Sequence, residues 1–187
     1  MRSTVPSFFD TDKVEPHGYF QTYVQLAGQL GPATRVLELG VENGESLRIW
    51  QALFPLGDIT GVDLVDSKTW PAGTHKIISA QDDPELPGKL DGPYGLIIDD
   101  CSHHGIATRK SFELLWPLVK PGGYYVVEDW TVALRDDPHW GQQKNWGNSM
   151  LKTVEGFLPL LSYRDGECDE ITYRYGLVII HRSAANA

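Results

Sequence analysis

The sequence lacks the features that mark several large classes of protein. It has two cysteines, Cys101 and Cys168, which are too few for a disulfide framework, and reduced thiols are the simpler interpretation. No apolar run approaches the roughly 20 residues that a membrane-spanning helix needs, and residues 1–12 lack the apolar stretch of a secretory signal. These absences predict a soluble, cytoplasmic protein without a membrane partner.

Positive charge is also scarce. The chain has 16 lysines and arginines against 25 aspartates and glutamates, which gives a formal net charge of -9, and the basic residues are scattered rather than clustered. A nucleic-acid binder needs a basic surface to neutralise phosphates. Nucleic acid and anionic membrane are therefore excluded as principal partners.

Strand and helix patterns alternate along the chain. Short apolar runs predict strands at 34–39, 58–64, 75–79, 94–98 and 124–127. Helical spacing of apolar residues predicts helices at 18–30, 45–54, 107–119 and 148–158. Two last runs, Leu161 to Arg164 and Ile171 to His181, are expected to pair as an antiparallel hairpin. This order predicts an α/β fold with a mostly parallel sheet and one antiparallel strand near its C-terminal edge.

The turn after the first predicted strand has the features of a ligand-binding loop. Ligands of open α/β sheets bind at the carboxyl ends of the strands, and Glu38 and Gly40 occupy that place. The G-x-G-x-x-G spacing that receives a pyrophosphate is absent, and the acidic loop suits a cation such as the sulfonium of S-adenosylmethionine. Asp63 is placed to bind ribose hydroxyls, and Gln81 and Asp82 to meet an adenine edge. The alternative is that these residues are structural: Gly40 in a plain turn, Asp63 as a loop cap and Asp82 in a polar turn.

Paired acids end two neighbouring predicted strands. Asp99 and Asp100 follow one strand, and Glu128 and Asp129 follow the next. Carboxylates that converge at one sheet edge repel each other, and a divalent cation such as Mg²⁺ or Mn²⁺ removes that conflict. Asp100, Glu128 and Asp129 are the predicted metal ligands, although acids without a metal are the alternative. Asp99 either faces the cofactor or holds backbone N–H groups at the strand end.

A histidine beside these acids suggests how the site works. His103 follows the first acid pair and is predicted to be the general base. A metal would lower the pKa of a substrate hydroxyl, and His103 would take its proton as the oxygen attacks the methyl carbon. Trp130, Trp140 and Trp146 lie in or beside the long loop after the fifth predicted strand, and they either form a lid for a ring-bearing substrate or pack the loop onto the body.

Several motifs together resemble a known family. They are TDKVEPHGYFQTY, VLELGVENGESLRIW, ITGVDL, SAQDDPEL, YGLIIDDCSHH and LVKPGGYYVVEDW. In this order they resemble the Rossmann-like class I S-adenosylmethionine-dependent methyltransferases, and more narrowly the metal-dependent sugar O-methyltransferases of the macrocin and mycinamicin type. Cys101 stands where that family usually has glycine, and Glu45 replaces a common second glycine. The chain is also shorter than members that carry an auxiliary N-terminal domain.

The resemblance implies an activity and a set of roles. It implies an O-methyltransferase of antibiotic biosynthesis that acts on a hydroxyl of a sugar or other small natural product, with a homo-oligomer as a possible assembly. It also implies one methyltransferase domain over 1–187, in which the helical segment 1–32 closes the site through His17 and Tyr19 and residues 33–187 form the core. Two alternatives stay open at this point: a nicotinamide-dependent oxidoreductase, and a non-catalytic S-adenosylmethionine-binding protein.

Overall fold

A computed structural model of the chain describes residues 11–14, 17–135, 149–161 and 167–184. Seven strands form one sheet in the order β3-β2-β1-β4-β5-β7-β6. Their bounds are β1 (Val36–Leu39), β2 (Ile59–Asp63), β3 (Thr74–Ile78), β4 (Tyr94–Asp99), β5 (Val119–Glu128), β6 (Cys168–Tyr173) and β7 (Leu177–Arg182). Strands β1 to β5 are parallel to one another, whereas β7 runs antiparallel to both β5 and β6. Strand β7 is therefore the one reversed strand.

Within the described part of the chain, four α-helices accompany the sheet. They are α1 (Phe20–Leu30), α2 (Glu45–Leu53), α3 (Gly105–Leu115) and α4 (Met150–Glu155). The central strands β1 and β4 are buried along their whole length, as expected for parallel strands covered on both faces. One apolar cluster joins the sheet to α1 and α2, with Tyr23 and Trp50 among its largest members. A second cluster joins it to α3 and α4 through Phe112 and Val154.

The predicted fold class is confirmed, and most element bounds differ by one or two residues. The predicted helices at 107–119 and 148–158 extend further at their C-terminal ends than α3 and α4 do. The helix expected at 107–119 is α-helical over Gly105–Leu115 and continues as a short 3₁₀ turn, because Pro117 lacks the N–H that an α-helix needs. The strand expected at 124–127 begins earlier, at Val119. Among the described residues no helix is long and apolar enough to cross a membrane.

The predicted C-terminal hairpin has the wrong strands. Both of its strands lie within 168–182, and a tight turn at Tyr175 and Gly176 divides the run that was predicted as one strand. Gly176 has φ +72°, which a residue without a side chain adopts at no cost. Leu158–Leu161 is a 3₁₀ turn, and residues 162–164 of the other predicted strand lie outside the described residues.

Candidate active site

The loops that follow β1 and β4 cross at Gly40. The Asp100 N–H donates to the carbonyl of Leu39, 3.0 Å away, and the Gly40 N–H donates to that of Val62, 2.9 Å away. Gly40 has φ +81°, and a Cβ built there would overlap the carbonyl oxygen of Asp100. Glycine is therefore required so that the two strand ends can approach each other. This requirement comes from the protein backbone itself and holds with or without a cofactor.

A cavity of about 300 Å³ opens beside this crossing. Its lining includes the N-terminal residues 11–13, the loop from Gly40 to Asn43, and Asp100. Asp63 shapes the loop, because its Oδ2 accepts hydrogen bonds from the N–H groups of Val41 (2.9 Å) and Glu42 (2.8 Å). Trp70 supports the same loop by donating from Nε1 to the Glu42 carbonyl. The volume lies at the lower end of the range of small-molecule pockets.

The other residues expected near the cofactor differ in their surroundings. Gln81 is buried: its Nε2 donates to Asp99 Oδ1 at 3.3 Å, and its Oε1 accepts from the Ser102 N–H at 3.1 Å. Asp99 is an internal group that also accepts from Ser111 Oγ and, at 3.1 Å, from the Tyr125 hydroxyl. Burial raises the pKa of Asp99 to about 7, although the hydrogen bonds oppose this rise. Asp82 is exposed to solvent.

Glu38 is enclosed below the glycine loop and holds the start of α2. Its Oε2 accepts from Ser46 Oγ at 2.6 Å and from Trp50 Nε1 at 2.9 Å. Its Oε1 is buried and accepts no hydrogen bond, with Lys13 Nζ at 3.4 Å. Burial raises the pKa of Glu38, and the charge of Lys13 opposes that rise. An unsatisfied buried carboxylate oxygen is a place where a cationic group is favoured.

Asp100, His103 and Asp129 meet at the ends of β4 and β5. His103 Nε2 lies 4.0 Å from Asp100 Oδ1 and 3.9 Å from Asp129 Oδ2, and one ligand atom of each residue lies within 4.8 Å of the others. His103 (φ +52°) and Asp129 (φ +54°) both have left-handed backbones, which are uncommon outside glycine. Such local strain is often found at functional sites. These three groups can hold a divalent cation.

Glu128 lies deeper than this group of three. Its Oε1 accepts from the Tyr23 hydroxyl and, at 3.0 Å, from Lys13 Nζ. Burial raises the pKa of Glu128 well above its usual value, and the negative charge of Asp100 adds to this rise. Of the three acids predicted as metal ligands, Asp100 and Asp129 thus lie in the group with His103, and Glu128 lies behind them against two N-terminal side chains. The role of Glu128 as a ligand stays a prediction.

The residues before α1 complete the site. Lys13 Nζ lies 2.5 Å from Asp100 Oδ2, and Tyr19 donates to Asp129 Oδ1 at 2.7 Å. His17 Nδ1 is 3.7 Å from the same oxygen of Asp129. The β6–β7 turn supports Tyr19 closely, because a Cβ at Gly176 would overlap the tyrosine hydroxyl. The segment expected to close the site through His17 and Tyr19 therefore contacts one of the predicted metal ligands.

Sequence reasoning missed Lys13 and Tyr23 as members of this site. Each is more than 80 residues from its partner along the chain, and only the fold brings them together. The one sequence signal for Lys13 was its place in the motif TDKVEPHGYFQTY. Burial raises the pKa of the Cys101 thiol to about 12, which keeps it protonated and unreactive at neutral pH. Trp130 begins a 3₁₀ turn, whereas Trp140 and Trp146 lie outside the described residues.

Comparison with known proteins identifies the family. A family model described as a methyltransferase domain matches residues 37–130, which is half of the chain. The chain belongs to the methyltransferase-domain family. The resemblance to methyltransferases is thereby confirmed, and the nicotinamide oxidoreductase alternative loses its basis. The matched region contains the glycine loop, Asp63, and both acid pairs.

Individual relatives agree with this assignment. The chain is 32% identical over 151 residues to the L-olivosyl-oleandolide 3-O-methyltransferase of Streptomyces antibioticus, and this alignment covers 71% of the chain and 38% of that protein. It is 41% identical over 110 residues to the mycinamicin VI 2''-O-methyltransferase of Micromonospora griseorubida, covering 52% of the chain and 28% of that protein. The chain therefore spans well under half the length of these curated relatives.

The fold is shared with a solved methyltransferase. The structure of the MycE methyltransferase of the mycinamycin biosynthetic pathway, in complex with Mg and SAH, superposes with a TM-score of 0.80 at 25% sequence identity. The match covers 94% of this chain and 52% of that one. The strand order of the sheet and this structural match together support the predicted Rossmann-like class I methyltransferase fold.

The residues of this methyltransferase domain suit both ligands in chemical terms. Carboxylate oxygens without thiolates are typical ligands of Mg²⁺ or Mn²⁺. The acidic lining of the cavity favours a cation, such as the ammonium or sulfonium of S-adenosylmethionine. Asp63 Oδ1 accepts one hydrogen bond, from the Val65 N–H at 3.0 Å. Because a carboxylate oxygen can accept more than one hydrogen bond, Oδ1 keeps capacity for a ribose hydroxyl.

Proposed function

We propose that this chain is an S-adenosylmethionine-dependent O-methyltransferase that uses Mg²⁺ or Mn²⁺ and methylates a hydroxyl of a sugar or another small natural product. The observation that carries the proposal is the meeting of Asp100, His103 and Asp129 beside a cavity lined by the glycine loop. A binding protein without catalysis needs no such base. Relatives named as sugar and macrolide O-methyltransferases support the substrate class.

The geometry supports the following proposed roles. S-adenosylmethionine would supply the methyl group, and a divalent cation would lower the pKa of the substrate hydroxyl. Asp100 and Asp129 would hold that cation, with Glu128 as a predicted third ligand. His103 Nε2 accepts the proton that the hydroxyl gives up. The two carboxylates about 4 Å from Nε2 stabilise the imidazolium that results.

Of the proposed cofactor contacts, Gly40 lines the cavity, and the others are proposed from their places at the ends of β1 and β2 and after β3. Glu38 and Gly40 belong to the methionine end, Asp63 to the ribose, and Gln81 and Asp82 to the adenine. Gln81 and Asp99 bond to each other, so their part in binding would be to shape the adenine end rather than to reach far into it. A homo-oligomer and a cytoplasmic location stay predictions from the sequence.

The first test is a calorimetric titration of S-adenosylhomocysteine into the purified chain, once with Mg²⁺ and once with a chelator. Binding in both conditions supports the cofactor, and a separate Mn²⁺ titration tests the metal site. Binding of the cofactor product without any binding of metal would favour a protein that only binds S-adenosylmethionine. No binding of S-adenosylhomocysteine in either condition would remove the proposal.

The substrate class needs a second assay. Purified chain, S-adenosylmethionine and Mn²⁺ are incubated with a set of glycosylated macrolides that differ in which sugar hydroxyl is free. A mass increase of one methylene group, lost when that hydroxyl is already methylated, supports sugar O-methylation. Transfer to a non-sugar phenol or catechol in place of every glycoside would redirect the proposal to another acceptor class.

A further inference from the structure

Lys13 is a buried cation beside the proposed metal site. Its side chain is 1% exposed, and its ammonium lies within 3.4 Å of carboxylate oxygens of Asp100, Glu128 and Glu38. Burial alone would lower the pKa of Lys13, but these three acids outweigh it and raise the pKa well above its usual value. These short contacts with three carboxylates hold the ammonium in place as a positive charge next to the predicted metal ligands.

Lys13 and a bound metal would share the same carboxylates. Asp100 directs Oδ2 to Lys13 and Oδ1 towards His103, so one carboxylate serves both sides. Glu128, a predicted metal ligand, already accepts a hydrogen bond from the ammonium. Part of the negative charge that attracts a divalent cation is thus neutralised before the cation arrives.

We propose that Lys13 is a resident counter-cation of the metal site, which holds Asp100 and Glu128 together when no metal is bound and weakens the binding of a divalent cation. This inference rests on the metal-dependent methylation proposed above. Its functional value is that the empty site stays folded, because carboxylates buried side by side without a cation repel each other. The counterpart is a lower affinity for metal than the acids alone would give.

The proposal predicts opposite changes in metal affinity and in stability. In Lys13→Met a positive charge a few ångströms from the metal position is lost, and metal affinity should rise by about tenfold or more, because charge interactions in a buried site are poorly screened. The metal-free variant should unfold at a lower temperature than the wild type. Saturating metal should recover most of that loss, because a ligand that binds only the folded state stabilises it, and tighter binding gives a larger stabilisation.

Calorimetric titration of Mn²⁺ and thermal unfolding in chelator test this on the full chain. Lys13→Gln is the second neutral variant, in case Lys13→Met does not fold. Lys110→Met is the matched control, because Lys110 is exposed on α3 and its loss changes the net charge equally. The control should bind Mn²⁺ with wild-type affinity and melt at the wild-type temperature.

The outcomes separate this inference from the proposed function. Tighter Mn²⁺ binding by the Lys13 variants, with a lower melting temperature in chelator, supports the counter-cation. Equal or weaker binding than the wild type overturns it, since a lysine that merely orders the ligands would lower the affinity when removed, while the metal site itself would stand. If neither the wild type nor the variants bind Mn²⁺, the metal-dependent function fails and this inference fails with it.

Discussion

Replacing Gly40 by alanine should damage both the stability and the site, because the loops after β1 and β4 cross at this residue. A side chain at φ +81° costs about 1–2 kcal/mol. The new Cβ would also lie 2.6 Å from the Cα of Cys101 and 2.7 Å from the carbonyl carbon of Asp100. Backbone atoms cannot rotate away, so overpacking adds about 1–3 kcal/mol. The free energy of unfolding should fall by about 2–5 kcal/mol in total.

A second glycine separates the two contributions. Gly122 has φ +72°, and the nearest atom to a Cβ built there is the Cβ of Ala184 at 3.8 Å, an ordinary contact. Gly122→Ala therefore carries the backbone cost of about 1–2 kcal/mol without the clash. Urea denaturation of both variants and the wild type, with chelator present, gives the three free energies of unfolding under the same conditions.

The Gly40 variant should also lose function beyond its loss of stability. A Cβ built at Gly40 overlaps the Asp100 carbonyl oxygen, so relief of the clash requires that carbonyl to move by roughly 1 Å, and misplacement of about 1 Å can cost roughly a hundredfold in rate. We therefore expect weaker Mn²⁺ binding in Gly40→Ala and wild-type binding in Gly122→Ala. If Gly40→Ala is no less stable than Gly122→Ala, the two loops do not cross as described and the reasoning is refuted.

Two further predictions concern His103 and Asp99. His103→Ala should lower kcat by roughly 10²- to 10⁴-fold while Mn²⁺ affinity stays near that of the wild type, as expected of a general base; loss of metal binding in calorimetry would instead make His103 a ligand. The pKa of Asp99 rises from 3.8 to about 7 on folding, so the folded state keeps a proton that the unfolded state releases, and stability should fall by about 4 kcal/mol as pH rises from about 4 to 7. Asp99→Asn should flatten that dependence in urea unfolding across the same pH range, and parallel curves for variant and wild type would contradict the assignment.

The sequence was sufficient for the features that depend on local pattern. Buried strands with helices between them have a strong signal, and the carboxyl ends of parallel strands necessarily meet at one edge of the sheet. This is why the sequence could place both acid pairs and His103 at one edge of the sheet, whereas the metal ligands among them stay a prediction. The one reversed strand was also expected, because the closing elements departed from strict strand–helix alternation.

Features that depend on long-range contacts or on a single turn were not predictable. The turn at Tyr175 and Gly176 lies inside an apolar run that reads as one strand, and a lone glycine is a weak break signal. Whether Gln81 and Asp99 face the cofactor or each other depends on side-chain direction, which spacing alone does not give. Lys13 lies in a stretch of sequence without helical or strand periodicity, so its position could not be predicted. It meets the acids because the segment before α1 packs onto the edge of the sheet.

The charges in the site indicate whether it favours cationic or anionic ligands. Four acids, namely Glu38, Asp100, Glu128 and Asp129, lie within or beside it, and Lys13 neutralises part of their charge. Burying the remaining charge is costly unless cations accompany it, which a divalent metal and the sulfonium and ammonium of S-adenosylmethionine would do. A nicotinamide dinucleotide would bring phosphates to the same acids and be repelled. The excess of carboxylates in the site therefore favours a cationic cofactor over an anionic one, which supports the proposed use of S-adenosylmethionine.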